Sequence, residues 1–400
     1  MHETVKHYRT CPLCEATCGL EITLRQGAIT RIEGDEQDSF SRGFICPKGA
    51  ALAELHTDPD RLRAPLIREP GGGFRQVSWD EAFATVQARL GPSLGGDPNA
   101  AAVYLGNPNV HSIAGVLLPR FVVRSLGTRN MFTASRVDQM PKHVASGFLY
   151  GDPHAIAVPD LDRTDYLLLL GANPWESNGS LCTAPDFPGR IKALLARGGR
   201  FVVVDPRRTR TAEHASEHIR IRPGTDAYLL LGMLHVVFRE GLVRLGRLAA
   251  HVSGVDALRE LVKPFAPAAV SSVTGIDAET VERLARELAA RERAVVYGRM
   301  GTHTVAFGTV AAWAVDVLNA LTGHLDEPGG AMWARPAHAP KERAAKERRG
   351  FSVGRWKSRV KAHPEAVGEL PVATLADEIE TKGPGQVKVL ITIAGNPVLS

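Results

Sequence analysis

Cys11-Pro-Leu-Cys14-Glu-Ala-Thr-Cys18, followed at a distance by Cys46-Pro-Lys48-Gly, is the stretch of this sequence with the clearest chemistry. Thiolates gathered in this way suit a metal. Three of them crowded as C-x2-C-x3-C, with a fourth standing alone, match a cubane [4Fe–4S] cluster, in which each iron takes one cysteine. A four-cysteine zinc site is the alternative, although zinc knuckles usually come as paired C-x2-C units. No apolar signal segment precedes Cys11, and a reducing compartment keeps such thiols out of disulfides. The remaining cysteine, Cys182 in Ser-Leu-Cys-Thr, reads as a small buried hydrophobe.

A second chemistry is spread over polar loops. They read Gly171-Ala-Asn173-Pro174-Trp-Glu176-Ser177, Asp205-Pro206-Arg207-Arg208-Thr209, Pro223-Gly224-Thr225-Asp226 and Gly298-Arg-Met300-Gly301. Glycine permits close backbone approach, and free N–H groups at helix starts favour phosphate. Arg207 and Arg208 can pair with phosphate oxygens. Asp205 and Asp226 can accept from a guanine edge or from ribose hydroxyls. Together these loops predict a nucleotide-bearing cofactor. No GxGxxG or GxxxxGK[ST] stands at a strand-to-helix turn, which disfavours a simple NAD or ATP fold.

The elements that must hold these loops alternate. Ala101–Leu105, Tyr166–Leu170 and Val387–Ile393 are short apolar runs, each breaking at a turn rich in Gly, Asn and Pro, and a shared turn type is expected. Pro188–Arg197 reads as a helix stopped by Gly198-Gly199, and Phe201–Val204 as a buried strand. Ile219–Ile221 is a further strand. A helix then runs to about Glu240 with Thr225 as its N-cap. Ala294–Tyr297 is a strand and Phe307–Leu321 a helix. The pattern predicts an α/β fold with mostly parallel sheets, whose ligands bind beyond the strands' carboxyl ends.

Composition narrows the classes. At 400 residues, 44% apolar and 23% charged, the chain has the size for two or three ordinary globular domains. No apolar run approaches the ~20 residues of a membrane span, so no direct membrane insertion is expected. A net charge of +5 suits an anionic cofactor or substrate and does not call for nucleic acid. The basic run from Arg335 to Lys361 reads as a solvated linker or insertion, with docking of an acidic redox partner as the other reading.

The motifs TCPLCEATCG, RGFICPKG, DPDRLRAPLIR, GANPWES, VVVDPRRTRTA, RPGTDAYLLLG and GRMGTH jointly resemble the DMSO reductase family of molybdenum enzymes. Formate dehydrogenases and nitrate reductases are among its members. The resemblance runs over essentially the whole chain. It implies a bis(molybdopterin guanine dinucleotide) cofactor holding molybdenum or tungsten beside one [4Fe–4S] cluster. Cys11, Cys14, Cys18 and Cys46 match the cluster ligands, and Lys48 the lysine between cluster and pterin. Leu170–Ser177, Asp205–Thr209 and Gly224–Asp226 match nucleotide-binding loops, and Met300 and Thr304 match pterin contacts.

The protein ligand to the metal departs from the formate dehydrogenase pattern. Where a cysteine or selenocysteine is expected, the stretch Thr133-Ala-Ser135-Arg-Val-Asp138-Gln-Met-Pro-Lys142-His143 offers Asp138. A carboxylate suits oxophilic molybdenum. The alternatives are that Asp138 only caps the following helix, or that Ser135 or no side chain serves. Gln139 stands where formate enzymes place histidine. His143, one turn on, is a candidate proton donor or an ordinary helix histidine. Lys142 and His143 are expected to draw an oxyanion.

These readings predict an N-terminal [4Fe–4S] domain over 1–65 and a discontinuous α/β domain over 66–134 and 365–400. An inserted cofactor-binding α/β domain covers 135–334, with the basic linker at 335–364. A C-terminal barrel is expected to be missing, as in a truncated chain. The predicted function is oxidoreduction of a small substrate, with nitrate-type reduction preferred and formate oxidation the alternative. A partner protein or subunit exchanges electrons with the cluster. A non-catalytic iron–sulfur subunit is the rival of another class, and the cytoplasm the expected compartment.

Overall fold

The computed structural model describes residues 4–179, 182–334 and 350–398. Residues 335–349, the front of the predicted basic linker, lie outside the described residues. The chain divides into two compact units, Met1–Arg136 with Val353–Ser400, and Val137–Ser352.

The first unit opens with an antiparallel sheet in the order Thr4–Thr10, Gly19–Arg25, Ala28–Gly34. A parallel sheet follows in the order Val389–Ile393, Ala101–Leu105, Asn130–Thr133. The last strand of the chain thus lies beside Ala101–Leu105, the pairing expected of a discontinuous domain. A small core of Ala102, Tyr104, Phe132, Leu370, Leu375 and Val387 ties the late segment to the early one.

The second unit is built on a parallel sheet in the order Glu217–Ile219, Arg200–Val204, Tyr166–Leu170, Ala294–Gly298. Its strands are near-continuous apolar runs because both faces are covered. Every residue of Tyr166–Leu170 is fully buried. Tyr166, Leu168 and Leu170 pack towards the helices Asp226–Arg239, Ala278–Ala290 and Gly308–Leu321. Leu167 and Leu169 pack on the opposite face, towards Phe187–Ala196. The chain steps outward from Tyr166–Leu170, then returns to its other side at Ala294–Gly298. That reversal falls at the carboxyl ends of these two strands, the position where ligands bind in such sheets.

Several local expectations shift. The Asp186 carboxylate accepts from Gly189 N at 3.0 Å and starts the helix at Phe187. The strand placed at 219–221 is Glu217–Ile219. Thr225 occupies an N-cap position without capping, since its hydroxyl donates to the Arg222 carbonyl at 2.6 Å. The three strand-ending turns are not of one type. Gly171 and Ala394 are left-handed (φ 55° and 51°), whereas Gly106 is extended (φ −81°).

Candidate functional site

In the first unit, the cysteine loop is pinched at its base. Cys11 ends the strand Thr4–Thr10, Cys18 precedes Gly19–Arg25, and Cys11 N donates to Cys18 O at 2.8 Å. Thr17 turns the loop with φ 47°. Cys46 stands at the N-cap of the short helix Pro47–Ala50. Cys11, Cys18 and Cys46 are buried, Cys14 is half-buried, and all four are free thiols. Burial pushes the Cys18 thiol up to about 12, and Cys11, Cys14 and Cys46 add to the shift. Burial raises Cys11 and Cys14 as well, while the exposed Lys48 ammonium draws both back down.

These thiols act on one another's charge, so they share one neighbourhood. Stripped of a positive centre, they resist ionisation; coordinated iron deprotonates a thiol outright. The sulfur-only donor set fits an iron–sulfur cluster. Among the described residues, no group of three His, Cys, Asp or Glu side chains is arranged to hold a single metal ion.

In the second unit, the loops after Leu170, Val204 and Gly298 meet beyond the carboxyl ends of their strands. Gly171 N donates to Val204 O at 3.1 Å and Gly301 N to Gly171 O at 2.9 Å. A Cβ on Gly171 would stand 2.7 Å from Thr302 N, and one on Gly301 would stand 2.7 Å from Gly171 Cα. Only glycine allows this backbone-to-backbone approach at a left-handed residue. Asn173 Oδ1 accepts from Thr211 Oγ1 at 2.6 Å, and Thr211 Oγ1 accepts from Trp175 N at 3.1 Å. Asn173 and Pro174 therefore belong to the strut between two loops. Thr209 caps the helix Arg210–Glu213 by accepting from Ala212 N at 3.1 Å.

The charges fall into two sets. Arg207 and Arg208, after Pro206, are exposed, and Glu176 pairs with Arg210 at 3.2 Å. Asp226 is 5% exposed, and burial, with Asp205 adding repulsion, pushes its carboxyl up to about 6. Burial also raises Asp205, against the Arg207 N–H it accepts at 2.8 Å. Two carboxyls that repel one another near one site are acceptors that the N–H groups of a guanine edge could meet. The hydroxyl of Ser177, Nε of Arg299 and both ring nitrogens of His303 are buried without a hydrogen-bond partner. Buried polar atoms are normally paired. Orphaned donors beside the glycine contact fit a polar cofactor such as molybdopterin guanine dinucleotide. Met300 is half-exposed, and the Thr304 hydroxyl donates back to Met300 O at 2.9 Å.

Asp138 is half-buried, and its carboxylate accepts from the N–H of Gln139. Gln139, not Asp138, takes the N-cap position of the helix Met140–Tyr150, which has no side-chain cap. The second unit holds no cysteine but Cys182, whose burial pushes its thiol up to about 12. His143 Nδ1 donates to Pro153 O at 2.7 Å, and burial lowers its pKa against that bond. Burial thus favours the neutral ring, whose other nitrogen accepts a hydrogen bond rather than donating one.

Lys142 corrects the sequence reading most sharply. It is 5% exposed and donates to both oxygens of Asp316, at 2.5 and 2.6 Å. Its charge is cancelled inside the protein and is not offered to an oxyanion. Sequence reasoning also missed Arg299 and His303, although GRMGTH was singled out, because Met300 and Thr304 took its weight. A histidine immediately after a buried threonine, in a turn following a buried strand, was the available signal.

The family model described as molybdopterin oxidoreductase matches residues 61–400, and that of the molybdopterin oxidoreductase Fe4S4 domain matches residues 6–57. Formate dehydrogenase H of Escherichia coli is 28% identical over 80% of this chain and 44% of its own length. A nitrate reductase of Symbiobacterium thermophilum is 26% identical over 98% of this chain and 54% of its own length. Acetylene hydratase from Pelobacter acetylenicus shares the fold, with a TM-score of 0.67 and 24% identity over 79% of this chain and 43% of that one. The chain spans about half the length of these curated relatives. Among the described residues, no helix is long and apolar enough to cross a membrane.

Proposed function

The chain belongs to the molybdopterin oxidoreductase family, with that family's Fe4S4 domain, and on that premise we propose that it is the redox-active part of a catalytic subunit that reduces a small oxyanion of the nitrate type. Its cofactors are molybdopterin and one [4Fe–4S] cluster; the bis(guanine dinucleotide) form, with molybdenum or tungsten, belongs to the proposal. The bound metal supplies two-electron chemistry at the substrate, and the cluster carries the electrons singly.

Each remaining step falls to this chain's own residues. Cys11, Cys14, Cys18 and Cys46 hold the cluster, and Lys48 moderates the charge beside Cys11 and Cys14. The carboxylates of Asp205 and Asp226 accept from a guanine edge, and Arg207 and Arg208 meet phosphate. Gly171, with Gly301 against it, brings the two loops into backbone contact, and Arg299 and His303 bring ring and guanidinium nitrogens that the protein itself leaves unpaired. Asp138 ligates the metal. His143, neutral and held through Nδ1, offers its other ring nitrogen as a hydrogen-bond acceptor near the head of the helix.

The observation that carries the substrate preference is Asp138 before Met140–Tyr150, in a unit whose lone cysteine is buried elsewhere. An oxygen ligand suits oxygen-atom transfer at an oxophilic metal. Formate oxidation is the second reading, favoured by the likeness to formate dehydrogenase H. A redox partner and a cytoplasmic location are part of the proposal.

Anaerobically purified full-length protein should contain about four irons, with molybdenum or tungsten and GMP released by acid. Reduced viologen should then be oxidised by nitrate. Turnover with formate and none with nitrate would reverse the substrate preference. Iron without group-6 metal or GMP, from a host able to make the cofactor, would favour an electron-transfer subunit.

A further inference from the structure

The helix Met140–Tyr150 carries a buried polar stripe. Lys142, Ser146 and Tyr150 recur at intervals of four, on one helix face. The Ser146 hydroxyl has no hydrogen-bond partner, while burial and the Asp316 carboxylate it faces push the Tyr150 hydroxyl's pKa up. Lys142, by contrast, is bound through its amine to both oxygens of Asp316, and both residues are buried, at 5% and 2% exposure. Ion pairs this deeply buried are not needed for stability, because well-packed apolar residues of similar volume often serve as well or better.

The pair occupies a particular place in the unit. Asp316 lies in the helix Gly308–Leu321, one turn before Asn319. Asn319 is locked to the strand Ala294–Gly298: Val296 N donates to its Oδ1 at 2.9 Å, and its Nδ2 donates to Val296 O at 2.8 Å. That strand adjoins the fully buried strand Tyr166–Leu170. At the other end, Lys142 N donates to Gln139 O at 2.9 Å, and Gln139 N donates to the Asp138 carboxylate. The bonds of Asn319 to the sheet and of Asp316 to Lys142, joined through one turn of the helix Gly308–Leu321, connect the sheet to the turn that presents Asp138.

We infer that Lys142 and Asp316 are a positioning pair that fixes the Asp138 carboxylate relative to the parallel sheet and keeps the lysine's charge from acting on it. The inference rests on the reading of Asp138 as metal ligand. It has a mechanical part, since the tie is one helical turn from Asp138. It also has an electrostatic part. Without Asp316, a bare ammonium in a poorly screened interior stands one turn from the ligand and favours the more reduced metal.

The test uses full-length holoenzyme and four variants. Asp138→Ala establishes whether Asp138 touches the metal, through the Mo(V) electron paramagnetic resonance spectrum. Asp316→Asn should retain metal, shift the Mo(V) signal to a higher midpoint potential, and lower kcat about tenfold with KM changed less than about twofold, the pattern of a transition-state loss. Asp316→Glu should recover part of both. Lys142→Met/Asp316→Met removes the charges while filling the space; it should regain the parent's thermal midpoint but keep an altered spectrum and a reduced kcat. A double variant that restores spectrum, potential and kcat together would overturn the inference, leaving the pair merely structural. So would unchanged spectra and potentials in the pair variants when Asp138→Ala changes its own. An unchanged spectrum in Asp138→Ala would instead remove the ligand reading, and the inference with it.

Discussion

Asp226 offers a quantitative test of the nucleotide site. Its carboxyl is 5% exposed at the start of the helix Asp226–Arg239, and burial with Asp205 nearby raises its pKa from 3.8 to about 6. A carboxyl whose folded pKa lies above its unfolded value stabilises the fold fully below the unfolded pKa. That contribution is lost as pH rises through the folded pKa. The window here runs from about pH 4 to about pH 6. By pH 7 both states are largely ionised, and a shift of about two units corresponds to roughly 3 kcal/mol of destabilisation in the cofactor-free chain. Asp226→Asn removes that penalty while keeping a carbonyl oxygen in place. Urea unfolding of apo-protein should therefore show the variant about 3 kcal/mol more stable at pH 7 and about equal to the parent at pH 4.

The holoprotein should respond in the opposite sense. If the buried carboxylate exists to accept from a guanine edge, replacing it puts an amide N–H against the base's own donors, and the GMP retained after gel filtration should fall. Equal apo stabilities of variant and parent at pH 7 would refute the electrostatic argument. A stabilised variant that retains its full GMP would refute the assignment of Asp226 to the base.

Three further outcomes are expected. Cys18→Ser should lower bound iron well below about four per chain and weaken the cluster's visible absorption, because the donor set loses one of its thiolates. Gly171→Ala should destabilise the second unit by about 1–3 kcal/mol, read from the thermal midpoint, since a left-handed residue gains a Cβ against the backbone of Thr302. Burial lowers His324 to about 4, so unfolding at pH 5 should cost about 2 kcal/mol less through this group than at pH 7. His324→Gln should flatten that part of the pH profile, and an unchanged slope would contradict it.

The sequence made the strands of the parallel sheets legible because both of their faces are apolar. Tyr166–Leu170 has no polar face to blur its limits, and the Gly-Ala-Asn-Pro turn after it is unmistakable. The four cysteines were legible for a similar reason, since thiol spacing reflects local chain geometry. What escaped was set by distant partners. Nothing near Lys142 announces Asp316, which stands far along the chain, so in the sequence an amine on a helix beside a candidate ligand reads as open to substrate. His303 was passed over because its isolation among buried atoms appears only when Gly298–Thr304 folds against the helix Met140–Tyr150. Thr225 sat in a capping position, yet its hydroxyl turned back to Arg222, a choice between neighbouring acceptors that composition does not specify.

The proposed cofactor loops and the proposed substrate determinants are held by different bonds in the second unit, although the turn Gly298–Thr304 packs against the helix Met140–Tyr150. The nucleotide loops hang from strand ends and from each other: Asn173 on Thr211, Gly171 on Gly301, Asp205 on the backbone of Arg207. Altering any one of them disturbs several contacts. Asp138 and His143 instead sit at the head of one helix, held by the Lys142–Asp316 bond and the His143–Pro153 bond. On the proposed reading of Asp138 as ligand, a change from thiolate to carboxylate there breaks none of the loop bonds named above, and the Lys142–Asp316 bond keeps the helix start in register. On that proposed reading, the residue at position 138 selects the chemistry and the parallel sheet does not.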